Sequence, residues 1–165
     1  MRSPGKKPLV VSSYLSQKLD AAFAEQTFNG KPNTVTPGLI RKARIAEDLG
    51  WCCPYTGMTF EPIDLVTHRV DKDHIIPRSQ RTSDSLDSLV ITFSEINRWK
   101  GNRTALQFVQ DEQGKSVPGL PNLSIRSLAE YTEWASSLEV TKGHDDDKRR
   151  KKNRRALLLL RLSIS

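Results

Sequence analysis

Apolar residues recur at helical spacing in three parts of the chain. These parts are residues 9–25, residues 37–49 and residues 125–138. In each part the apolar side chains fall on one stripe of an α-helix, which predicts three amphipathic helices. Thr36 followed by proline is a typical start for the second helix, and Ser124 is suited to cap the third.

Two shorter apolar segments have the character of β-strands. Residues 66–74 alternate roughly between apolar and polar and contain β-branched side chains, and residues 89–93 are a compact apolar run. Pro77 ends the first segment because it cannot donate a ladder hydrogen bond. A polar loop over residues 78–88 separates the two, and residues 95–99 predict a short helix after the second. The order is therefore strand, loop, strand, helix.

Charge is concentrated near the C-terminus. The formal net charge is +7, but residues 148–155 hold seven of the 26 lysines and arginines, and the other 19 balance the 19 acidic residues. An acidic start followed by this basic run predicts a helix aligned with its own dipole. The run can bind phosphates, or it can be a solvated connector. We therefore divide the chain into an N-terminal helical extension or linker (1–36), a central domain (37–141) and a basic C-terminal helix or connector (142–165).

The sequence indicates a cytosolic protein. No apolar run approaches the roughly 20 residues that cross a bilayer, and residues 1–17 lack the apolar core of a secretion signal. Cys52 and Cys53 are adjacent, so they cannot readily form an ordinary disulfide with each other. No paired Cys-x-x-Cys unit is present for a structural zinc site.

One set of polar side chains points to chemistry. Asp73 and His74 come at the end of the first predicted strand, and Asn97 lies in the short helix. One carboxylate and one amide oxygen suit a hard cation such as Mg²⁺, and an imidazole is a suitable general base near neutral pH. Arg98 and Lys100 could grip neighbouring phosphates. The residue types alone leave a second interpretation open, in which His74 caps a loop and Asn97 is a helix-surface residue.

Several segments match the pattern of a known family. They are Cys53-Pro54-Tyr55-Thr56-Gly57, Asp73-His74-Ile75-Ile76-Pro77, Asp84-Ser85, Leu89-Val90-Ile91, Asn97 and Lys100-Gly101-Asn102. Together they resemble the HNH nuclease domain, and most closely the version inside the type II RNA-guided CRISPR effector nucleases. The resemblance is dense over residues 44–108 and weaker over residues 124–160.

The resemblance implies an α+β fold with a ββα-metal (HNH) core flanked by several helices. It implies that Asp73 and Asn97 are metal ligands, that His74 is the general base and that Lys100 contacts phosphate. Mg²⁺ is the implied cofactor, with Mn²⁺ as a substitute. The implied partners are DNA and, through a parent effector, guide RNA, in the bacterial cytoplasm and not at a membrane. Such a domain cuts the DNA strand paired with the guide RNA in antiviral defence.

The sequence departs from the family pattern at one position. The middle asparagine of the family, which often orients the general-base histidine, corresponds to Ser88. Ser88 or a backbone carbonyl must then position the imidazole of His74. Two other functions stay open: a standalone HNH endonuclease of the homing or restriction type, and a non-catalytic nucleic-acid-binding module that uses residues 148–155.

Overall fold

The computed structural model describes residues 36–161 and, before them, only positions 17, 19, 27, 28, 31 and 32. The helix predicted over residues 9–25 lies largely outside these residues, although Gln17 and Leu19 within it are helical. Strands β1 (Thr27–Phe28) and β2 (Lys31–Pro32) pair antiparallel.

Helix α1 (Pro37–Asp48) confirms the second predicted helix. The Thr36 hydroxyl accepts a hydrogen bond from the Leu39 amide at 3.2 Å, and proline occupies the first turn, where its missing N–H has no cost. The buried side chains of α1 lie on one face. Gly50 follows the helix in the left-handed region, with a φ of +70°, which glycine adopts without strain.

The centre of the fold is an antiparallel hairpin followed by a short helix. Strand β3 (Val70–His74) pairs with strand β4 (Leu89–Phe93), so that Asp73 lies opposite Val90 and His74 opposite Leu89. Helix α3 (Ser94–Lys100) leaves β4 without a loop. It ends at Gly101, which also has a positive φ. The strand, loop, strand, helix order and the α+β class are confirmed.

The first strand is shorter than the sequence predicted. Residues 62–66 form helix α2 (Pro62–Val66), and β3 begins only at Val70. Proline in the first turn favours the helix, and the Asp64 carboxylate accepts the Glu61 amide at 2.8 Å, which satisfies a donor at the helix start. Upstream, Cys52 and Thr59 form an isolated antiparallel bridge.

The second half of the chain adds three helices and a hairpin. Helix α4 (Ala105–Glu112) is followed by strands β5 (Ser116–Val117) and β6 (Leu120–Ser124), which pair antiparallel. Ser124 therefore ends a strand. The cap of helix α5 (Leu128–Ser137) is Ser127, whose hydroxyl accepts the Glu130 amide at 3.1 Å.

Helix α6 (Asp145–Leu158) confirms the acidic-then-basic helix and packs against the rest of the domain. Leu157 and Leu158 are buried in the common hydrophobic core, and Arg154 is buried beside them. Cys52 and Cys53 carry free thiols. Among the residues that the structure describes, none of the helices has the length and apolar character to span a bilayer.

Candidate catalytic site

The end of strand β3 presents two adjacent polar side chains to different surroundings. Asp73 is buried, with 4% of its surface exposed, whereas His74 is partly exposed. This follows from strand geometry, since successive side chains point to opposite faces. His74 is the last residue of the strand, as the sequence predicted. After it the backbone continues through Ile75, whose amide donates to the Ser88 carbonyl at 3.0 Å.

The carboxylate of Asp73 accepts one hydrogen bond on each oxygen. The Tyr55 hydroxyl donates to Oδ2 at 2.6 Å, and the Lys100 ammonium donates to Oδ1 at 3.0 Å. Burial raises the pKa of Asp73 above its ordinary value, and the Lys100 charge and the two hydrogen bonds oppose that rise. Burial also raises the pKa of Tyr55 well above its ordinary value, so the phenol keeps its proton and acts as a donor.

Lys100 lies elsewhere than the sequence analysis expected. It was expected to reach outward to a phosphate, but the ammonium is buried, and besides Asp73 it donates to the His74 carbonyl at 2.7 Å. The correction has a physical reason: a buried ammonium needs a counter-charge and acceptors, and Asp73 and the strand end supply both. Lys100 thus ties helix α3 to the end of β3.

Asn97 lies one turn before Lys100 on the same face of helix α3. Its amide nitrogen donates to the Lys72 carbonyl at 3.2 Å, which belongs to the peptide that joins Lys72 to Asp73. The two expected metal ligands, Asp73 and Asn97, therefore lie around the same short stretch of β3. Arg98 is exposed, as a side chain that contacts DNA must be.

His74 is held by a loop residue to which the sequence had assigned no role. Its Nε2 lies 2.9 Å from Oδ1 of Asp84 in the loop between β3 and β4. The hydrogen bond to His74 and the charge of Arg78 lower the pKa of Asp84, so the carboxylate is ionised at neutral pH. An ionised carboxylate only accepts hydrogen bonds, so Nε2 carries the proton in neutral His74 and Nδ1 keeps its lone pair.

Ser88 has a different task from the one considered for it. Its hydroxyl donates to the carbonyls of Ser83, at 3.2 Å, and of Ser85, at 2.7 Å, and the residue is buried. These bonds hold the backbone on either side of Asp84. Among the residues that the structure describes, neither Ser88 nor a backbone carbonyl binds the imidazole. Asp84 does so directly, and its only signal in the sequence is its place in the family-like Asp84-Ser85 pair.

The donor set fits a hard divalent cation. Each carboxylate oxygen of Asp73 accepts a single hydrogen bond, and a carboxylate has about four lone-pair sites, so it retains acceptor capacity toward a metal. The Asn97 amide nitrogen is hydrogen bonded, which leaves the carboxamide oxygen as its ligand atom. Two protein oxygens leave room for water and phosphate in a magnesium shell. Asp73 and Asn97 thus offer oxygen ligands beside the strand end that also carries the His74 imidazole.

Comparison with known proteins places this geometry in a family. Residues 53–106 match the family model described as HNH endonuclease. Over 98 residues the chain is 37% identical to "CRISPR-associated endonuclease Cas9 1" of Streptococcus thermophilus, an alignment that covers 53% of this chain and 9% of that protein.

Solved structures give the same result for the fold. Streptococcus thermophilus Cas9 in complex with the GGAA PAM is 25% identical with a TM-score of 0.57, and its complex with the AGAA PAM is 24% identical with a TM-score of 0.59. The type II-C Cas9 of Actinomyces naeslundii is 23% identical with a TM-score of 0.54. The matches cover 91%, 91% and 87% of this chain and 14%, 14% and 13% of those proteins.

The β3–β4–α3 unit with its Asp-His pair thus lies within the segment that matches the HNH endonuclease family. The chain is similar to the corresponding segment of Cas9 proteins in sequence and in fold, which confirms the resemblance stated from the sequence. The chain spans less than one sixth of the length of the relatives it matches.

Proposed function

We propose that the chain is a Mg²⁺-dependent DNA endonuclease domain that hydrolyses a phosphodiester with one metal ion and His74 as the general base. The observation that carries this proposal is the end of strand β3. There His74 is held by Asp84, the adjacent Asp73 is fixed by two donors, and Asn97 binds the carbonyl of the preceding Lys72. Mn²⁺ has similar ligand preferences and is the expected substitute.

Each side chain has a role in this reaction. Asp73 and Asn97 hold the cation, which when bound polarises the phosphate and offsets the charge that develops on it. His74 accepts a proton from the attacking water at Nδ1, because Asp84 keeps the other ring proton on Nε2. Arg98, exposed at the end of helix α3, contacts a neighbouring phosphate. Lys100 is buried, and its role is to neutralise Asp73 and to hold the orientation of its carboxylate.

The substrate that we propose is the DNA strand paired with a guide RNA inside a larger effector. The support for this is the likeness to the HNH segment of proteins whose names describe CRISPR-associated endonucleases and complexes with a PAM. In such an effector, base pairing with the guide selects the target, and the HNH domain needs only to meet the heteroduplex backbone. The partners are then DNA and guide RNA, and the compartment is the bacterial cytoplasm.

A cleavage assay on the 165-residue chain tests the proposal. One DNA strand, labelled at its 5′ end, is offered in an RNA–DNA heteroduplex and in a DNA duplex, with Mg²⁺ or with EDTA. We expect a slow, Mg²⁺-dependent cut of the DNA strand in the heteroduplex. His74→Ala should abolish the cut while its circular dichroism and melting temperature match those of the parent chain.

His68→Ala is the matched control. His68 lies just before β3, whereas His74 ends it. Among the bonds of the described residues, the His68 side chain makes no contact with Asp73 or Asp84, and its carbonyl accepts a hydrogen bond from the Ser94 hydroxyl. This variant should cut normally. Undiminished cleavage by His74→Ala would rule out His74 as the base. A clear preference for the DNA duplex would instead favour a standalone HNH endonuclease.

A further inference from the structure

Tyr55 is a buried side chain with a polar hydroxyl to which the proposed reaction gives no role. Its ring is fully buried, and its hydroxyl donates to Oδ2 of Asp73 at 2.6 Å. We propose that Tyr55 is a positioning residue for the metal ligand Asp73: it fixes the plane of the carboxylate so that its remaining lone pairs face the cation. This inference rests on the proposed function, because it requires Asp73 to bind the metal.

The two donors to Asp73 restrain different oxygens. Lys100 takes Oδ1 and Tyr55 takes Oδ2, so rotation of the carboxylate about its Cβ–Cγ bond breaks both hydrogen bonds at once. With Lys100 alone, the same rotation would break only one hydrogen bond. A metal ligand held in its binding orientation loses less entropy when the cation arrives, and partners of this kind typically change metal affinity by about 10–100-fold.

The two donors also differ in charge. The Lys100 ammonium neutralises Asp73 but repels an incoming cation at close range. The Tyr55 hydroxyl is a neutral donor, because a phenol keeps its proton at neutral pH. It can therefore orient the carboxylate without opposing the metal. Removal of this hydroxyl tests orientation alone, since the net charge of the site stays the same.

The backbone and the ring of Tyr55 are both fixed, as a positioning residue requires. The carbonyl of Tyr55 accepts the Arg126 amide at 2.8 Å, and the Gly57 amide closes the turn onto the Cys53 carbonyl at 3.0 Å. The ring meets Phe108 edge-on, with centroids 5.2 Å apart and planes at 87°. The turn over residues 53–57 thus holds the Tyr55 hydroxyl in a fixed position against Asp73.

Tyr131 offers a matched control. Its ring lies parallel to that of Tyr55, with an angle of 5° and centroids 6.5 Å apart, and it is equally buried. Its hydroxyl donates to the carbonyl of Leu158 at 2.8 Å, in helix α6 and not at Asp73. Tyr55→Phe and Tyr131→Phe therefore each remove one buried hydroxyl from the same aromatic cluster. Only the Tyr55 hydroxyl contacts Asp73, the proposed metal ligand.

The test is calorimetric titration of Mg²⁺ into the chain without DNA. We expect binding that Asp73→Asn removes, about 10–100-fold weaker affinity in Tyr55→Phe, and unchanged affinity in Tyr131→Phe. Equal affinity in the chain and in Tyr55→Phe, or tighter binding in Tyr55→Phe, overturns the role of Tyr55 but leaves the metal site standing. Absence of any Asp73-dependent binding in the unsubstituted chain overturns the metal site and this inference together.

A second measurement does not depend on the folding of Tyr55→Phe. The ultraviolet Raman bands of tyrosine report whether a phenol donates a hydrogen bond and how strongly. Mg²⁺ should change these bands in the unsubstituted chain and equally in Tyr131→Phe, because the metal draws charge from the acceptor of Tyr55. If Mg²⁺ binds and leaves both spectra unchanged, Tyr55 does not act through Asp73.

Discussion

Arg154 in the C-terminal helix α6 forms a buried ion pair with Asp48 at the end of helix α1, with Nη1 and Oδ2 2.7 Å apart. The same guanidinium donates to the carbonyls of Leu89, at 3.0 Å, and Leu86, at 2.5 Å. Arg150, one turn earlier, also pairs with Asp48 at 2.7 Å. The basic run over residues 148–155 therefore has two parts with different roles. One part, Arg150 and Arg154, holds α6 against the end of α1 and the start of β4.

Replacing Asp48 should destabilise the fold strongly. Asp48→Asn leaves the buried Arg154 guanidinium without its ion-pair partner, while Arg150 loses one of its two carboxylates and keeps Asp147. Loss of one partner from a buried ion pair typically costs about 3–5 kcal/mol. We expect a loss of this size in the free energy of unfolding, measured with urea at pH 7. The matched control is Asp146→Asn, whose pair with Arg149 is exposed and contributes about 0–1 kcal/mol.

The ion pairs of Asp48 should also make the stability of the fold depend on pH. Burial alone would raise the pKa of Asp48, but Arg150 and Arg154 outweigh it and the net pKa is lowered. A carboxyl whose pKa is lower in the folded chain stabilises it above the unfolded value of about 3.9, and that stabilisation is lost as the pH falls further. The unsubstituted chain should therefore lose stability below about pH 4 more steeply than Asp48→Asn. Parallel curves, or equal costs for Asp48→Asn and Asp146→Asn at pH 7, would contradict the buried role of Asp48.

The outer face of α6 should bind DNA by charge alone. Arg149 and Lys152 are exposed, unlike Arg150 and Arg154, so they can be replaced by glutamine without disturbing the packing of the helix. We expect the double variant to bind duplex DNA more weakly, with the slope of log affinity against log salt reduced by up to about 0.9 for each lost phosphate contact.

The control for this surface is Lys115→Gln. Lys115 is an exposed lysine next to strand β5, paired with Glu112 and not part of helix α6. Its replacement should leave the salt slope unchanged. If the double variant has the slope of the unsubstituted chain, the outer face of α6 is a solvated surface of a connector.

The elements that could be predicted from sequence are those with strong local signals. Helix α1 has a cap, a proline and an apolar stripe, and β4 is a run of apolar residues bounded by polar ones. Helix α2 was not predicted, because five residues carry too little periodicity to separate a helix from a strand. The β5–β6 hairpin was also not predicted, since its strands are short and its exposed residues are typical of a loop.

The site shows the same division between local and long-range information. The order of Asp73, His74 and Asn97 along the chain was visible, and the structure gathers them around the end of β3. The burial of Lys100 and the contact of Tyr55 with Asp73 were not visible. Both depend on partners 27 and 18 residues away, and lysine and tyrosine usually keep their polar ends near water.

Asp84 should matter for the rate of cleavage and not for the binding of DNA. Asp84→Asn keeps the shape of the side chain but removes the negative charge, and an amide can meet Nε2 of His74 through either its oxygen or its nitrogen. The imidazole then loses the contact that fixes its tautomer. We expect kcat to fall by about 10–100-fold, the scale of a lost orienting partner, while KM and the melting temperature stay the same.

The control for Asp84 is Asp87→Asn in the same loop. Asp87 accepts hydrogen bonds from the Ser85 hydroxyl and, at 3.1 Å, from the Asn153 amide, and it makes no bond to His74. This variant should keep its kcat, although its stability can fall. Asp84→Glu should recover part of the lost rate, because it restores an acceptor that carries charge. A normal kcat in Asp84→Asn, or an equal loss in Asp87→Asn, would show that Asp84 shapes the loop and does not orient His74.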